Sequence, residues 1–174
     1  MVIPVSISRV LSRRLSTEGG PLVYLVSLAV GLAPAPGWAQ AATAHPEIRL
    51  RPGFQPNPAQ VSGVSGGSQL AGDVVDTEQT PNGRCLGYLS DTSPDHILVL
   101  EADFPALTLW VESRQDTTLV IRGDNGVWCN DDYQEHNPGL SGEWLQGNYH
   151  IWVGSYQRDR YYPYTLYVRQ DSET

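Results

Sequence analysis

Residues 116–132 read DTTLVIRGDNGVWCNDD, and this stretch sets the frame for the rest of the chain. Asp124-Asn125-Gly126 is a tight-turn signal, because Asn and Gly tolerate the positive φ that a primed hairpin turn requires. The turn joins a strand over 117–122 to one over 127–130. With the turn centred near Asp124-Asn125, the numbers of facing residues sum to about 249. Asp116 then lies opposite Tyr133, beside Asp131 and Asp132. Asp124 sits at the other end, eight residues from Asp116, or ~26 Å at ~3.3 Å per strand residue. Asp116, Asp131 and Asp132 can meet at the open end of the hairpin; Asp124 cannot join them.

The same two-residue period runs outward from the hairpin. Leu107, Leu109 and Val111 alternate with Thr108, Trp110 and Glu112. Tyr149, Ile151 and Val153 alternate with His150, Trp152 and Gly154, and Tyr164, Leu166 and Val168 with Thr165, Tyr167 and Arg169. Ile97–Leu100 follows the turn signal Ser93-Pro94-Asp95, and VSGVSGGSQLAG from Val61 reads as a glycine-softened first strand. Period two, aromatic and β-branched enrichment and regular turn punctuation predict an all-β, antiparallel β-sandwich over residues 61–172. Residues 40–60 contain four prolines and little periodicity. They read as an extended leader crossing the domain surface.

The N-terminus has a different grammar. Arg9, Arg13 and Arg14 precede an apolar run from Pro21 to Ala33, followed by small residues with cleavage points after Ala39, Ala41 or Ala44. These are the parts of a secretory signal peptide over 1–39. The apolar run falls short of the ~20 residues needed to span a bilayer, so no stable membrane insertion is expected after cleavage. Over 174 residues the 11 arginines, with no lysine, face 19 acids for a net −8. Without residues 1–39 the chain keeps 8 arginines and 18 acids in 135 residues, a net −10. That balance excludes a nucleic-acid or anionic-membrane surface, which needs clustered positive charge.

In an exported chain the two cysteines, Cys85 and Cys129, are most economically a disulfide. Asp116, Asp131 and Asp132 offer hard oxygen ligands suited to a structural Ca²⁺, with Asn130 and backbone carbonyls beside them; the alternative is a polar turn capped by Asp116. If Leu109, Val111, Ile151, Val153, Leu166 and Val168 point inward, Trp110, Trp152 and Tyr167 point to the opposite face. There they form a ligand face that stacks on sugar rings, or they cover the outer sheet beneath the leader.

The succession Asp-Thr-Thr-Leu-Val-Ile at 116–121, Asn-Asp-Asp at 130–132 and Gly-Asn-Tyr-His-Ile-Trp-Val-Gly at 147–154 resembles the bacterial pre-peptidase C-terminal domain, over roughly residues 60–170. The resemblance implies a jelly-roll-like sandwich that is exported, non-catalytic and commonly appended to secreted hydrolases, with some members binding calcium or extracellular polymers. It places the family's acidic role on Asp116, Asp131 and Asp132. The chain departs from the usual context in carrying its own cysteine pair and no attached protease domain.

Catalytic constellations are missing from the sequence. There is no phosphate-cradling glycine loop or Cys/His zinc spacing. The expectation is therefore a periplasmic or secreted, non-enzymatic binding module, calcium-stabilised, with an extracellular or periplasmic protein or glycan as partner. The alternatives are a lectin-like carbohydrate-binding module and a secreted hydrolase accessory or cryptic hydrolase.

Overall fold

A computed structural model of the chain describes residues 47–172. The expected signal peptide (1–39) and the first part of the leader (40–46) lie outside the described residues. The elements begin with β1 (Glu47–Leu50), β2 (Ala59–Val64), β3 (Gln69–Leu70), a helical turn α1 (Ala71–Val74), β4 (Gln79–Thr80), β5 (Gly83–Arg84) and β6 (Tyr88–Leu89). They continue with β7 (His96–Leu100), β8 (Phe104–Ser113), β9 (Thr117–Gly123), β10 (Gly126–Asn130), β11 (Gly139–Trp144), β12 (Gly147–Ser155) and β13 (Pro163–Gln170).

From β7 to β13 the chain passes back and forth between two sheets, the winding of a jelly-roll-like sandwich. The larger sheet runs β1-β7-β12-β9-β10, with β6 and β3 continuing from the far end of β12. The smaller runs β11-β8-β13-β2. Pairing is antiparallel except for β1, which lies parallel to β7. The β9–β10 hairpin pairs Gly126 with Gly123, Cys129 with Val120 and Asn130 with Leu119, the register that the Asp-Asn-Gly turn predicts. Within the expected leader, β1 joins the larger sheet and Ala59-Gln60 opens β2 in the smaller. Between them Phe54 packs its ring 6.2 Å from that of Phe104. The backbone N–H of Gly53 donates to Gln170 Oε1 (2.8 Å), which ties this segment to the last strand.

The main core lies between the sheets. Leu98, Leu100, Leu119, Ile121, Ile151 and Val153 from the larger sheet meet Phe104, Leu107, Leu109, Val111, Leu166 and Val168 from the smaller. These are the inward positions of the two-residue period. Burying each such side chain contributes roughly 1.5–3 kcal/mol.

A second core occupies the opposite face of the larger sheet. Val120, Cys129 and Trp152 are covered there by Ala71, Val74, Val75, Cys85 and Leu89 from the segment between β2 and β7. Hence β9 and β12 are buried on both faces over much of their length, and the β9 sequence TTLVI is correspondingly rich in β-branched residues and free of charge. The cover is fastened by the Cys85–Cys129 disulfide, with Cα atoms 5.1 Å apart. Polar contacts assist it. The Cys129 N–H donates to Thr80 Oγ1 (3.3 Å), and the Arg122 guanidinium donates to the Val74 carbonyl (3.3 Å). Entry to the cover passes Gly66 at φ +100°, where a Cβ would lie 1.7 Å from the Arg160 carbonyl oxygen. Only glycine fits that crossing.

Removing the disulfide with Cys85→Ala/Cys129→Ala is expected to cost about 2–4 kcal/mol and lower Tm by roughly 10 °C. Thermal melts with and without a reducing agent check this; the double variant should also be insensitive to reductant. An unchanged Tm would show that the cover is held without its covalent link.

Candidate functional site

Two regions compete for the role of functional site: the acidic end of the β9–β10 hairpin and the aromatic face of the smaller sheet. At the acidic end, Asp116 immediately precedes β9 and Asp131-Asp132 immediately follow β10. A loop over 131–138 closes on itself through hydrogen bonds from the Tyr133 and Gln134 N–H groups to the Asn137 carbonyl (3.0 and 2.9 Å). Asn130 does not present its amide oxygen to this end, because Oδ1 accepts the Gly139 N–H at 2.9 Å.

The three aspartates are close enough to repel one another. Partial burial pushes the Asp116 carboxyl above its ordinary 3.8, Asp132 and Asp131 push it further, and His136 opposes them. Asp131 is raised in the same way, first by burial and then by Asp132, with its backbone hydrogen bond and Arg84 opposing. Among the described residues, however, no three His, Cys, Asp or Glu side chains are placed to hold a metal ion. The end is an acidic cluster in which burial and neighbouring carboxylates together raise Asp116 and Asp131. Asp124 lies in the turn at the hairpin's other end.

The aromatic face resolves differently for its three expected members. Trp110 and Tyr167 are cross-strand partners on β8 and β13, and their rings stack with centroids 4.9 Å apart and planes 9° apart. The pair stands on the solvent side of the smaller sheet. Trp110 Nε1 donates to Glu112 Oε1 (3.2 Å), and the Arg169 guanidinium carbon lies over the Trp110 ring, 5.3 Å from its centroid. Arg169 is in turn ion-paired to Asp171, and Thr108 donates to the same carboxylate.

Trp152 does not share this face. It belongs to the other sheet and is 2 % exposed, enclosed in the second core. Its outward placement by the two-residue period is correct relative to the main core. The expectation of exposure fails because the 69–89 segment covers that outer face. Trp152 is a structural side chain and leaves the ligand face.

Beside the stacked pair the solvent side of β2, β13 and β8 is polar. Ser62, Thr165 and Glu112 sit in one cross-strand row. They line a groove of about 490 Å³ together with Arg114, Pro163 and Tyr164. Sequence reasoning missed this groove, because its floor is made by three strands far apart in the chain. His96 is buried with Nε2 2.8 Å from the Tyr164 hydroxyl, whose pKa burial drives upward, and His150 is exposed.

The acid cluster has a testable pH signature. In the unfolded chain these carboxyls ionise near 3.8; in the folded chain Asp116 and Asp131 resist ionisation. At low pH both states are protonated and the cluster is neutral for stability. As pH rises past 3.8 through the raised values, the folded state is penalised. Asp131→Asn is therefore expected to raise Tm at pH 7 and to leave it unchanged near pH 3, read by calorimetry. A calcium ion bound at this end would invert the sign, the substitution then lowering Tm in calcium.

No family model matches the chain, and no curated protein matches it. Among solved structures it is similar to the pre-peptidase C-terminal domain of a collagenase from Bacillus anthracis, at 10% identity and a TM-score of 0.42, across 74% of this chain and 99% of that one.

Proposed function

We propose that the chain is an exported, non-catalytic binding module that takes its ligand on the solvent face of the smaller sheet. The observation that carries this reading is the asymmetry of the sandwich. The outer face of the larger sheet is closed around Val120, Cys129 and Trp152 by a second core and a disulfide. The outer face of the smaller sheet keeps a stacked Trp110–Tyr167 pair and a hydroxyl-bearing groove in contact with solvent. Aromatic side chains half-exposed on a rigid sheet offer contact area at little entropic cost. The disulfide supports export to an oxidising compartment.

The finer reading is lectin-like. Ring edges beside Ser62, Thr165 and Glu112 supply the mixed apolar and hydrogen-bonding surface that a neutral sugar polymer presents in return. The acidity of the chain disfavours anionic polymers. A structural Ca²⁺ is not required by this proposal.

The test is retention on a panel of insoluble neutral polysaccharides, with Trp110→Ala and Tyr167→Ala as variants. Both residues lie on the wet face, so each substitution should leave the fold intact, at the loss of a stacked pair of about 1 kcal/mol and of the area each ring half-buries. Wild type is expected to be retained and each variant to lose retention tenfold or more. Full retention by both variants, or polysaccharide turnover in zymograms, would contradict the proposal.

A further inference from the structure

At the edge of the main core, where the β9–β10 turn meets the β11–β12 corner, the buried Trp144 and Tyr149 and the half-buried Trp128 form a second aromatic cluster. Trp128, Trp144 and Tyr149 bring three rings together, with centroids 5.2 Å (Trp128–Trp144), 6.0 Å (Trp128–Tyr149) and 5.2 Å (Trp144–Tyr149) apart. Their planes are inclined at 41°, 56° and 76°, so none of the pairs closes into a parallel stack. With Asn125, Glu143 and Leu145 they line a cavity of about 230 Å³. The ring of Tyr149 is held in place. Its hydroxyl donates to the Leu145 carbonyl at 2.7 Å, and Gly123 has no Cβ, which would otherwise lie 2.7 Å from Tyr149 Cδ1.

Charge around this cavity has one sign. Glu143 lines it, Asp124 adjoins Asn125 in the turn, and the Asp103 carboxylate accepts the Gln146 N–H at 2.7 Å, next to Leu145. The Tyr149 hydroxyl registers the surroundings: burial pushes it up first, and Asp103 and Asp124 add to the rise against its hydrogen bond to Leu145. No basic side chain lines the cavity, and the chain has no lysine.

We propose that this cavity is a binding site for a trimethylammonium group. Ring faces attract cations through their quadrupoles, and Trp is the strongest of the aromatic side chains in this respect. A quaternary ammonium has no N–H to satisfy, so it suits walls made of rings with one carboxylate. A primary ammonium brings three donors and needs more acceptors. The volume lies below the roughly 300 Å³ at which pockets for drug-sized ligands begin, which fits a headgroup rather than a chain of sugars. This inference uses residues on neither the smaller sheet's outer face nor its groove, so it stands or falls independently of the glycan reading.

The test is a choline titration of the purified, isotopically labelled protein, followed through the indole N–H signals of its tryptophans. Trp128 and Trp144 signals are expected to shift saturably, and Trp110 to stay unmoved. The neutral isostere 3,3-dimethylbutan-1-ol should bind at least about fivefold more weakly, because it lacks the charge the rings attract. Glycine betaine, which adds a carboxylate, should also bind more weakly than choline. Trp128→Leu is expected to weaken choline by about fivefold or more, and the surface change Glu143→Gln by about twofold to threefold, with the fold intact. Co-sedimentation with phosphatidylcholine vesicles assigns the group to a lipid headgroup; choline binding without co-sedimentation assigns it to a soluble ligand. Equal affinity for the neutral isostere, choline affinity unchanged in both variants, or no saturation with choline would overturn the proposal.

Discussion

β12 runs through the middle of the larger sheet, hydrogen-bonded to β7 and to β9, and from Ile151 to Ser155 both of its faces are buried. A strand in that position commits the molecule to covering two surfaces. The smaller sheet covers one through the main core. The 69–89 segment, pinned by Cys85–Cys129, covers the other with Ala71, Val74, Val75, Cys85 and Leu89 over Val120 and Trp152. The consequences reach across the molecule. Gly66 is needed where the chain enters the cover, and the β4–β5 hairpin is drawn against β10. The outer face of the larger sheet is left to solvent beyond the cover, at Arg49, Asn148 and His150.

The periodicity carried much of this fold. The Asp-Asn-Gly turn sets the β9–β10 register correctly, because a two-residue turn leaves little freedom in which residues face each other. Leu109, Val111, Ile151, Val153, Leu166 and Val168 are inward as their alternation predicts. What a period of two cannot express is whether the opposite face is wet. Trp110 and Trp152 occupy equivalent outward positions, yet one meets solvent and the other a second core. The difference is made by a segment whose strands are two residues long and whose sequence has no sustained pattern. The parallel pairing of β1 was equally hidden, since four residues among prolines carry no directional signal. The disulfide could be inferred from count and compartment, but its role in holding the cover required the fold.

The candidate sites divide along similar lines. Hairpin geometry brought Asp116, Asp131 and Asp132 to one end, where burial first and the neighbouring carboxylates second raise the Asp116 and Asp131 carboxyls. Electrostatic proximity is a weaker condition than coordination, and the described side chains do not meet the second. The Trp110–Tyr167 pair was legible as two outward aromatics; their stacking, the overlying Arg169 and the neighbouring groove follow from strand order. The Trp128–Trp144–Tyr149 cavity was not legible at all, because its walls come from three strands whose mutual placement depends on both sheets. Thus alternation supplied the faces, and topology decided which of them can meet a ligand.

The central claim is that the outer face of the larger sheet is closed around Trp152 while that of the smaller is open around Trp110, and hydroxyl-radical footprinting with mass spectrometry reads it directly. Under native, oxidised conditions Trp110 and Tyr167 are expected to be labelled rapidly while Trp152 stays protected, with Trp152 becoming reactive once the Cys85–Cys129 bond is reduced and the cover loosens. Labelling of Trp152 at the rate of Trp110 in the oxidised protein would contradict the account.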